Sequence, residues 1–186
     1  MAKKTQGNLL KAIAGESVAR NKYTFFAKKA KEEGLMWIKH IFLETADNER
    51  AHAEEELEKV TGTVKTTADL GIDPVSDSLT NLRHAAAGEK YEWTEMYPGF
   101  EQIARDEEEE EIATLFKEVS EIEEKHEERY NKLADRLEQK KLFETDEVVE
   151  WKCLNCGYIH KGKSAPKECP SCKKPQGWYM QVGFVR

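Results

Sequence analysis

At 186 residues, 35% charged and 39% hydrophobic, the chain has room for one medium domain and something small, in a composition that favours helix. A net charge of −7 without a basic stripe excludes a nucleic-acid binder, and no apolar run reaches the roughly 18 residues of a membrane span. The opening Met-Ala-Lys-Lys-Thr-Gln has no apolar signal core, so the expected location is the cytoplasm.

Four long helices are expected, at about 8–33, 35–60, 77–105 and 109–141, each with an inward stripe stepping three and four residues. The first stripe is Leu9, Ala12, Glu16, Ala19, Tyr23, Phe26, Ala30, and the second is Leu35, Ile38, Phe42, Thr45, Glu49, His52. The third reads Leu82, Ala85, Glu89, Glu92, Met96, Gly99, Ile103. The fourth reads Ile112, Phe116, Val119, Glu123, His126, Tyr130, Leu133, Leu137. Gly34 ends the first helix in a tight turn that makes its neighbour antiparallel. Residues 61–76 are rich in Thr, Gly, Asp and Pro and lack periodicity. A connection this long suits a crossover along a four-helix bundle, as in ferritin-like folds. Pro98 should kink or unwind the third helix. The acidic run 106–111 reads as a solvated turn whose carboxylates suit the start of the fourth helix.

Every stripe is otherwise mostly apolar, and every one is interrupted by Glu or by Glu and His. Glu49-Arg50-Ala51-His52 and Glu123-Glu124-Lys125-His126 each put a carboxylate and an imidazole on one helix face. The two halves of the chain repeat. Ala12-Ile13-Ala14-Gly15-Glu16 matches Ala85-Ala86-Ala87-Gly88-Glu89, and Glu44 before Glu49-x-x-His52 matches Glu118 before Glu123-x-x-His126. Glu16, Glu49, Glu89, Glu92 and Glu123 would face one another at similar depth with no cation on any stripe. Burying one unpaired carboxylate costs several kcal/mol. Two multivalent metals would neutralise the set, and mixed carboxylate and imidazole ligation suits iron or manganese, with zinc a third option. A Glu from each of two helices with Glu-x-x-His from the other two is the dimetal pattern of carboxylate bundles. Here the single Glu residues are Glu16 and Glu89, and Glu92 is a surplus carboxylate one turn beyond. The plainer reading, polar residues that fix helix register, leaves the charge unrelieved. His40 and His84 lie off the stripes, and His160 reads as a solvated loop residue.

All four cysteines fall in the tail, as Cys153-x-x-Cys156 and Cys169-x-x-Cys172. In a reducing compartment this spacing reads as metal ligation. The domains expected are a bundle over 1–142, a linker over 143–147 and a small β module over 148–186. That module is too short to fold without a tetrahedral metal, iron or zinc.

The sequence resembles the rubrerythrin family along essentially its whole length. The match is carried by Ala14-Gly15-Glu16-Ser17, Glu44-Thr45-Ala46-Asp47-Asn48-Glu49 through His52, Ala87-Gly88-Glu89 through Glu92, Met96-Tyr97-Pro98, Glu123-x-x-His126, Cys-x-x-Cys-Gly-Tyr and Cys-Pro-x-Cys. The resemblance implies a ferritin-like bundle holding two non-haem irons (a diiron-oxo site), followed by a rubredoxin-like domain. By that resemblance Glu49 and Glu123 would bridge the irons, Glu16 and Glu89 would be terminal ligands, and His126 would bind the second iron. The first iron would exchange Glu92, when oxidised, for His52, when reduced. Tyr23 and Tyr97 would hydrogen-bond to ligand carboxylates. Cys153, Cys156, Cys169 and Cys172 would hold a rubredoxin-type iron that feeds the pair. The implied activity is reduction of hydrogen peroxide to water in oxidative-stress defence, by a homodimer supplied with electrons by a rubredoxin or an NAD(P)H-dependent reductase. Two competing readings are a ferroxidase or oxygen-reducing diiron protein and a non-enzymatic metal-binding bundle with a structural zinc ribbon.

Overall fold

The structure, a computed structural model, describes residues 4–184. Met1, Ala2 and Lys3 of the opening stretch and the last two residues of the tail expected over 148–186 lie outside the described residues. Helices α1 (Lys4–Glu32) and α2 (Met36–Glu58) are joined at Gly34, whose φ of +76° is the left-handed backbone that glycine adopts without strain. Leu35 N–H bonds to the Ala30 carbonyl and Gly34 N–H to that of Lys31, satisfying two helix-end acceptors. The 61–76 connection has no helix or strand and leads to Asp77, which caps the next helix by accepting from Thr80 N–H at 3.0 Å.

The third helix departs from expectation. It runs as α3 (Ser78–Tyr91), a π-helical turn (Glu92–Met96) and α4 (Tyr97–Asp106). Within the π turn Tyr97 N–H reaches back five residues to the Glu92 carbonyl. Pro98 has no N–H to offer Thr94 in the ordinary α pattern, which favours the wider turn just before it. One extra residue is absorbed, so the inward stripe beyond Glu89 moves by one. Tyr97 and Ala104 are buried, with Phe100 packed against them, whereas Gly99 is exposed and Met96 and Ile103 are only half-buried. Helix α5 (Glu110–Glu138) follows a turn with Glu108 at φ 61°, where the acidic run lies.

Two apolar clusters fill the bundle. One holds Leu9, Ala12, Tyr97, Ala104, Ile112, Phe116 and Val119; the other holds Tyr23, Phe26, Ile38, Phe42, Leu82, Tyr130 and Leu133. Along α1 the chain passes from Ala12 to Ala19 across Glu16, and along α5 from Val119 to Tyr130 across Glu123 and His126. The polar residues therefore form a layer between two greasy ones, each 5% exposed or less.

The tail is an antiparallel sheet in the order β2-β1-β3, from β1 (Glu144–Cys153), β2 (Ile159–Ser164) and β3 (Tyr179–Gln181). The expected linker over 143–147 is not a free connection. Glu144 pairs with Ser164, and Ala165 N–H bonds to the Phe143 carbonyl, so the segment is drawn into the sheet by backbone pairing. The tail's core is continuous with the bundle's second cluster. Trp37 of α2 meets Trp151 edge-on at 6.2 Å and Phe184 at 4.8 Å, with the Arg136 guanidinium stacked over all three rings.

Candidate metal centres

The polar layer resolves into two groups of ligand-type atoms. Glu16, Glu49, His52 and Glu123 form one, and Glu49, Glu89, Glu123 and His126 the other; within each, the donor atoms lie no more than 4.8 Å apart. Glu49 and Glu123 belong to both. His52 Nδ1 stands 2.9 Å from Glu123 Oε1 and 3.1 Å from Glu49 Oε2, and His126 Nδ1 stands 2.6 Å from Glu123 Oε2. The two imidazoles lie nearly parallel with centroids 6.1 Å apart. The i,i+3 spacing on α2 and α5 produces both pairs, and the chain repeat sets them face to face.

Electrostatics describe a site short of positive charge. Burial raises Glu16, Glu49 and Glu89 above the usual carboxylate range, with Glu123 adding to each. Burial also pushes Glu123 upward, but hydrogen bonds with His126 and His52 outweigh it and hold this carboxyl at about 2. Glu16 Oε2, both oxygens of Glu49 and Glu89 Oε2 are buried without a hydrogen-bond partner. Such orphaned oxygens are rare and costly, and two cations among them would satisfy all four. The oxygen-rich donor set with one imidazole per group fits iron.

Two tyrosines steady the terminal carboxylates: the Tyr23 hydroxyl donates to Glu89 Oε1, and the Tyr97 hydroxyl reaches Glu16 Oε1. Tyr97 owes its inward position to the π turn. Glu92, on the same turn, belongs to neither group. It is half-buried and lines a cavity of about 920 Å³ between α1, α3 and the 67–73 part of the crossover. The Trp93 indole N–H donates to Glu127 at 2.6 Å and the Ser120 hydroxyl to the Trp93 carbonyl at 3.2 Å, tying the π turn to α5.

Sequence reasoning missed Glu56. It is wholly buried, and its Oε1 lies 3.0 Å from the Tyr97 hydroxyl. The signal is in the sequence, since 49, 52 and 56 continue one helix face and the expected stripe, ending at His52, stops one turn short of it.

In the tail, the sulfurs of Cys153, Cys156, Cys169 and Cys172 lie within 4.8 Å of one another. Each knuckle closes alike: Gly157 N–H bonds to the Cys153 carbonyl and Lys173 N–H to that of Cys169, with φ of 78° and 60° at the two donors. Burial raises Cys153 to about 11. It also raises Cys169, but the Tyr179 hydroxyl and the backbone N–H groups of Cys172 and Ser171 overcome this and bring it to about 6. Four convergent thiols fit one tetrahedral iron or zinc.

Residues 7–134 match the family model for rubrerythrin, and residues 151–179 match that for the rubrerythrin rubredoxin-like domain. The chain belongs to the rubrerythrin family. Rubrerythrin-1 of Clostridium acetobutylicum is 45% identical, covering 95% of this chain and 93% of its own. The rubrerythrin of Nitratidesulfovibrio vulgaris is 41% identical, covering 97% and 95%. Among solved structures, fully reduced nigerythrin superposes with a TM-score of 0.66 at 34% identity, over 95% of this chain and 86% of that one. A bacterioferritin of Mycobacterium tuberculosis, at a TM-score of 0.67 but 15% identity, shares the ferritin-like fold. As a rubrerythrin-family protein, the chain carries a diiron ferritin-like site with Glu and His ligands and a four-cysteine rubredoxin-like iron site. Among the described residues, no helix is long and apolar enough to cross a membrane.

Proposed function

We propose that this protein is a cytoplasmic peroxidase that reduces hydrogen peroxide to water, with electrons relayed from the tail iron to the iron pair. The observation that carries this reading is the position of Glu92. It is a carboxylate beside the ligand layer yet outside both ligand groups, on a π turn, at the wall of an open cavity. A residue so placed can enter and leave a coordination sphere, and π turns recur at functional sites.

In this reading Glu49 and Glu123, common to both ligand groups, would be shared by the two irons. Glu16 and Glu89 would each be a ligand of one of them, His126 would hold the second, and His52 and Glu92 would exchange at the first. When bound, the irons supply the two electrons of the reaction, H2O2 + 2 e− + 2 H+ → 2 H2O. The protein's own part is to hold the carboxylates through Tyr23 and Tyr97, to admit peroxide past Gly15, Gly88 and Glu92, and to exclude bulk water with the apolar layers on either side.

The four-cysteine site supports a one-electron carrier, reloaded by a rubredoxin or an NAD(P)H-dependent reductase. The tail packs against Trp37, twelve residues before Glu49 on α2, which is about 18 Å at the helical rise. That span favours a homodimer in which a partner's tail approaches the bundle. Stopped-flow oxidation of anaerobically reduced protein tests the reading through the visible iron–thiolate colour. The colour should return far faster with peroxide than with air. Faster return with oxygen would replace this reading with a ferroxidase or oxidase, and a colourless oxidised protein would make the tail a structural zinc ribbon.

A further inference from the structure

The cavity at Glu92 is far larger than hydrogen peroxide requires. It holds about 920 Å³, whereas a peroxide takes roughly the room of two waters, about 60 Å³ at liquid packing. Its walls are also poorly matched to so polar a molecule. Val18 of α1, Leu70 and Ile72 of the crossover, and Tyr91, Met96 and Phe100 of the third helix all line it. Leu70, Ile72 and Tyr91 are large apolar side chains left exposed, and such groups gathered on one patch mark a ligand groove or an interface. A volume of this size with mostly apolar walls and a few polar groups suits a small organic molecule.

The cavity also has a direction. The Tyr23 hydroxyl bonds to Glu89 and the Tyr97 hydroxyl to Glu16, so α1 runs antiparallel to the third helix. Glu92 therefore stands toward the Lys22 end of the α1 wall, and Met96 and Phe100 continue toward its Lys11 end. From Glu92 to Phe100 the helical rise gives an apolar groove about 12 Å long. The crossover runs alongside, since Thr66 lies against Gly7 near the start of α1 and Ser78 N–H bonds to Glu33 near its end. Closed on three sides, the groove suits a slender chain better than the broad face of a folded partner.

We infer that the protein also reduces alkyl hydroperoxides, with the hydroperoxide group at Glu92 and the alkyl chain laid along Met96 and Phe100 beneath the crossover. This rests on the peroxidase reading above and widens its substrate class. The O–O bond of ROOH is cut, the reduced iron pair gives two electrons, and each oxygen takes one proton: ROOH + 2 e− + 2 H+ → ROH + H2O. The alcohol leaves by the same groove. Chain length sets the affinity, because each methylene taken out of water strengthens binding about fourfold.

Binding is read first without metal. The chain has four methionines, and Met96 stands on the cavity wall. Metal-free protein labelled with ¹³C at the methionine methyls is titrated with butanol, hexanol and octanol, the alcohols left by the matching hydroperoxides. The Met96 signal should shift while those of Met36 and Met180 stay in place, with affinity rising about fourfold per methylene. Iron-loaded, reduced protein is then mixed in stopped flow with hydrogen peroxide, ethyl hydroperoxide or octyl hydroperoxide. The octyl compound should oxidise it more than about tenfold faster than the ethyl one, by the same methylene burial. Two variants on exposed positions of the crossover wall separate the substrates: Ala68→Phe, which narrows the groove, and Leu70→Asp, which makes it polar. Each should lower the octyl rate about tenfold, the burial of roughly two methylenes, and leave the hydrogen peroxide rate unchanged. A Met96 signal that ignores octanol, or an octyl rate no higher than the ethyl rate, would overturn the alkyl site and leave the hydrogen peroxide reading standing. Inertness to every peroxide, with the Met96 shift intact, would instead remove the peroxidase reading and the alkyl activity that rests on it. A Met96 signal that moves with protein concentration and not with octanol would give the groove to a second copy of the chain, and would equally overturn the alkyl site.

Discussion

Gly177 in the tail lies against Gly34 at the turn between α1 and α2, so closely that a Cβ at 177 would fall inside the van der Waals surface of the Gly34 carbonyl oxygen. Backbone is therefore packed on backbone where the two modules meet, at the end of the bundle that also carries Trp37. The contact turns two sequence-distant glycines into a single joint. It fixes the tail on its own bundle in a way that side-chain stacking by Arg136 then reinforces.

Gly177→Ala should undock the tail while leaving both modules folded. A backbone atom cannot yield as a flexible side chain does, so the cost should be about 1–3 kcal/mol, as for an overpacked core. Urea titration should show two separated transitions in the variant, with Trp37 and Trp151 fluorescence changing before helix is lost. A single wild-type transition would mean the joint relaxes without penalty.

The metal-free protein should lose stability as pH rises. Burial raises Glu49, Glu56 and Glu89 well above 4.5, and Glu123, Glu16 and Glu123 respectively stand second among the causes. These groups hold protons in the folded chain that the unfolded chain has released, so folding becomes less favourable above an unfolded pKa of about 4.5. His52 acts in the same direction: burial lowers it, but Glu123, Glu16 and Glu49 overcome this and raise it above 6.5, so its contribution fades as pH rises. Glu123, held at about 2, is already ionised in both states above pH 5 and adds no slope. The melting temperature of metal-free protein should therefore drop between about pH 5 and pH 8, on the order of 5–10 °C. Iron should abolish the drop by standing where the protons stood. A melting temperature that rises with pH without metal would contradict this charge balance.

The metal layer was legible because buried charge is anomalous: Glu and His on an apolar stripe demand a reason, and the chain repeat supplies two matching sets. The tail's four thiols were legible for the same cause, an expensive residue type at ligand spacing. What was not legible depended on geometry without a periodic signal. Pro98 announces a disturbance but not its kind, and only the π turn shows that Tyr97, rather than Met96, points inward. Residues 144–147 are three acids and a threonine without strand periodicity, and they enter the sheet because Glu144 pairs with Ser164 while Ala165 N–H bonds to the carbonyl of the preceding Phe143. The joint at Gly34 and Gly177 joins segments with no pattern in common.

The π turn itself can be removed by deleting Thr94, which is exposed and bonds only to the Lys90 carbonyl among the hydrogen bonds of this turn. One residue fewer restores the α period, so Tyr97, Phe100 and Ala104 keep facing inward while Glu92 becomes part of an ordinary helix. Circular dichroism should show unchanged helix and the protein should still hold two irons. Peroxide oxidation should fall on the order of 100-fold, since misplacing a reacting group by about 1 Å costs that much. A wild-type rate would assign the turn to packing alone.

Cys169→Ser separates the two metal centres functionally. Cys169 is buried in the tail core and its thiol is brought down to about 6, so a serine hydroxyl is a poor substitute ligand. The variant should lose the visible iron–thiolate colour while the bundle keeps its two irons, because the Glu and His layer shares no ligand with the tail. Chemically reduced variant should then consume one peroxide per iron pair at the wild-type rate and stop. Steady turnover with a reductase and NAD(P)H should fall to background, since the route for reloading the pair runs through the missing iron. Steady turnover equal to wild type would show that external donors reach the bundle directly, and the four-cysteine module would then serve the fold by closing its own small core around Trp151 and Tyr179.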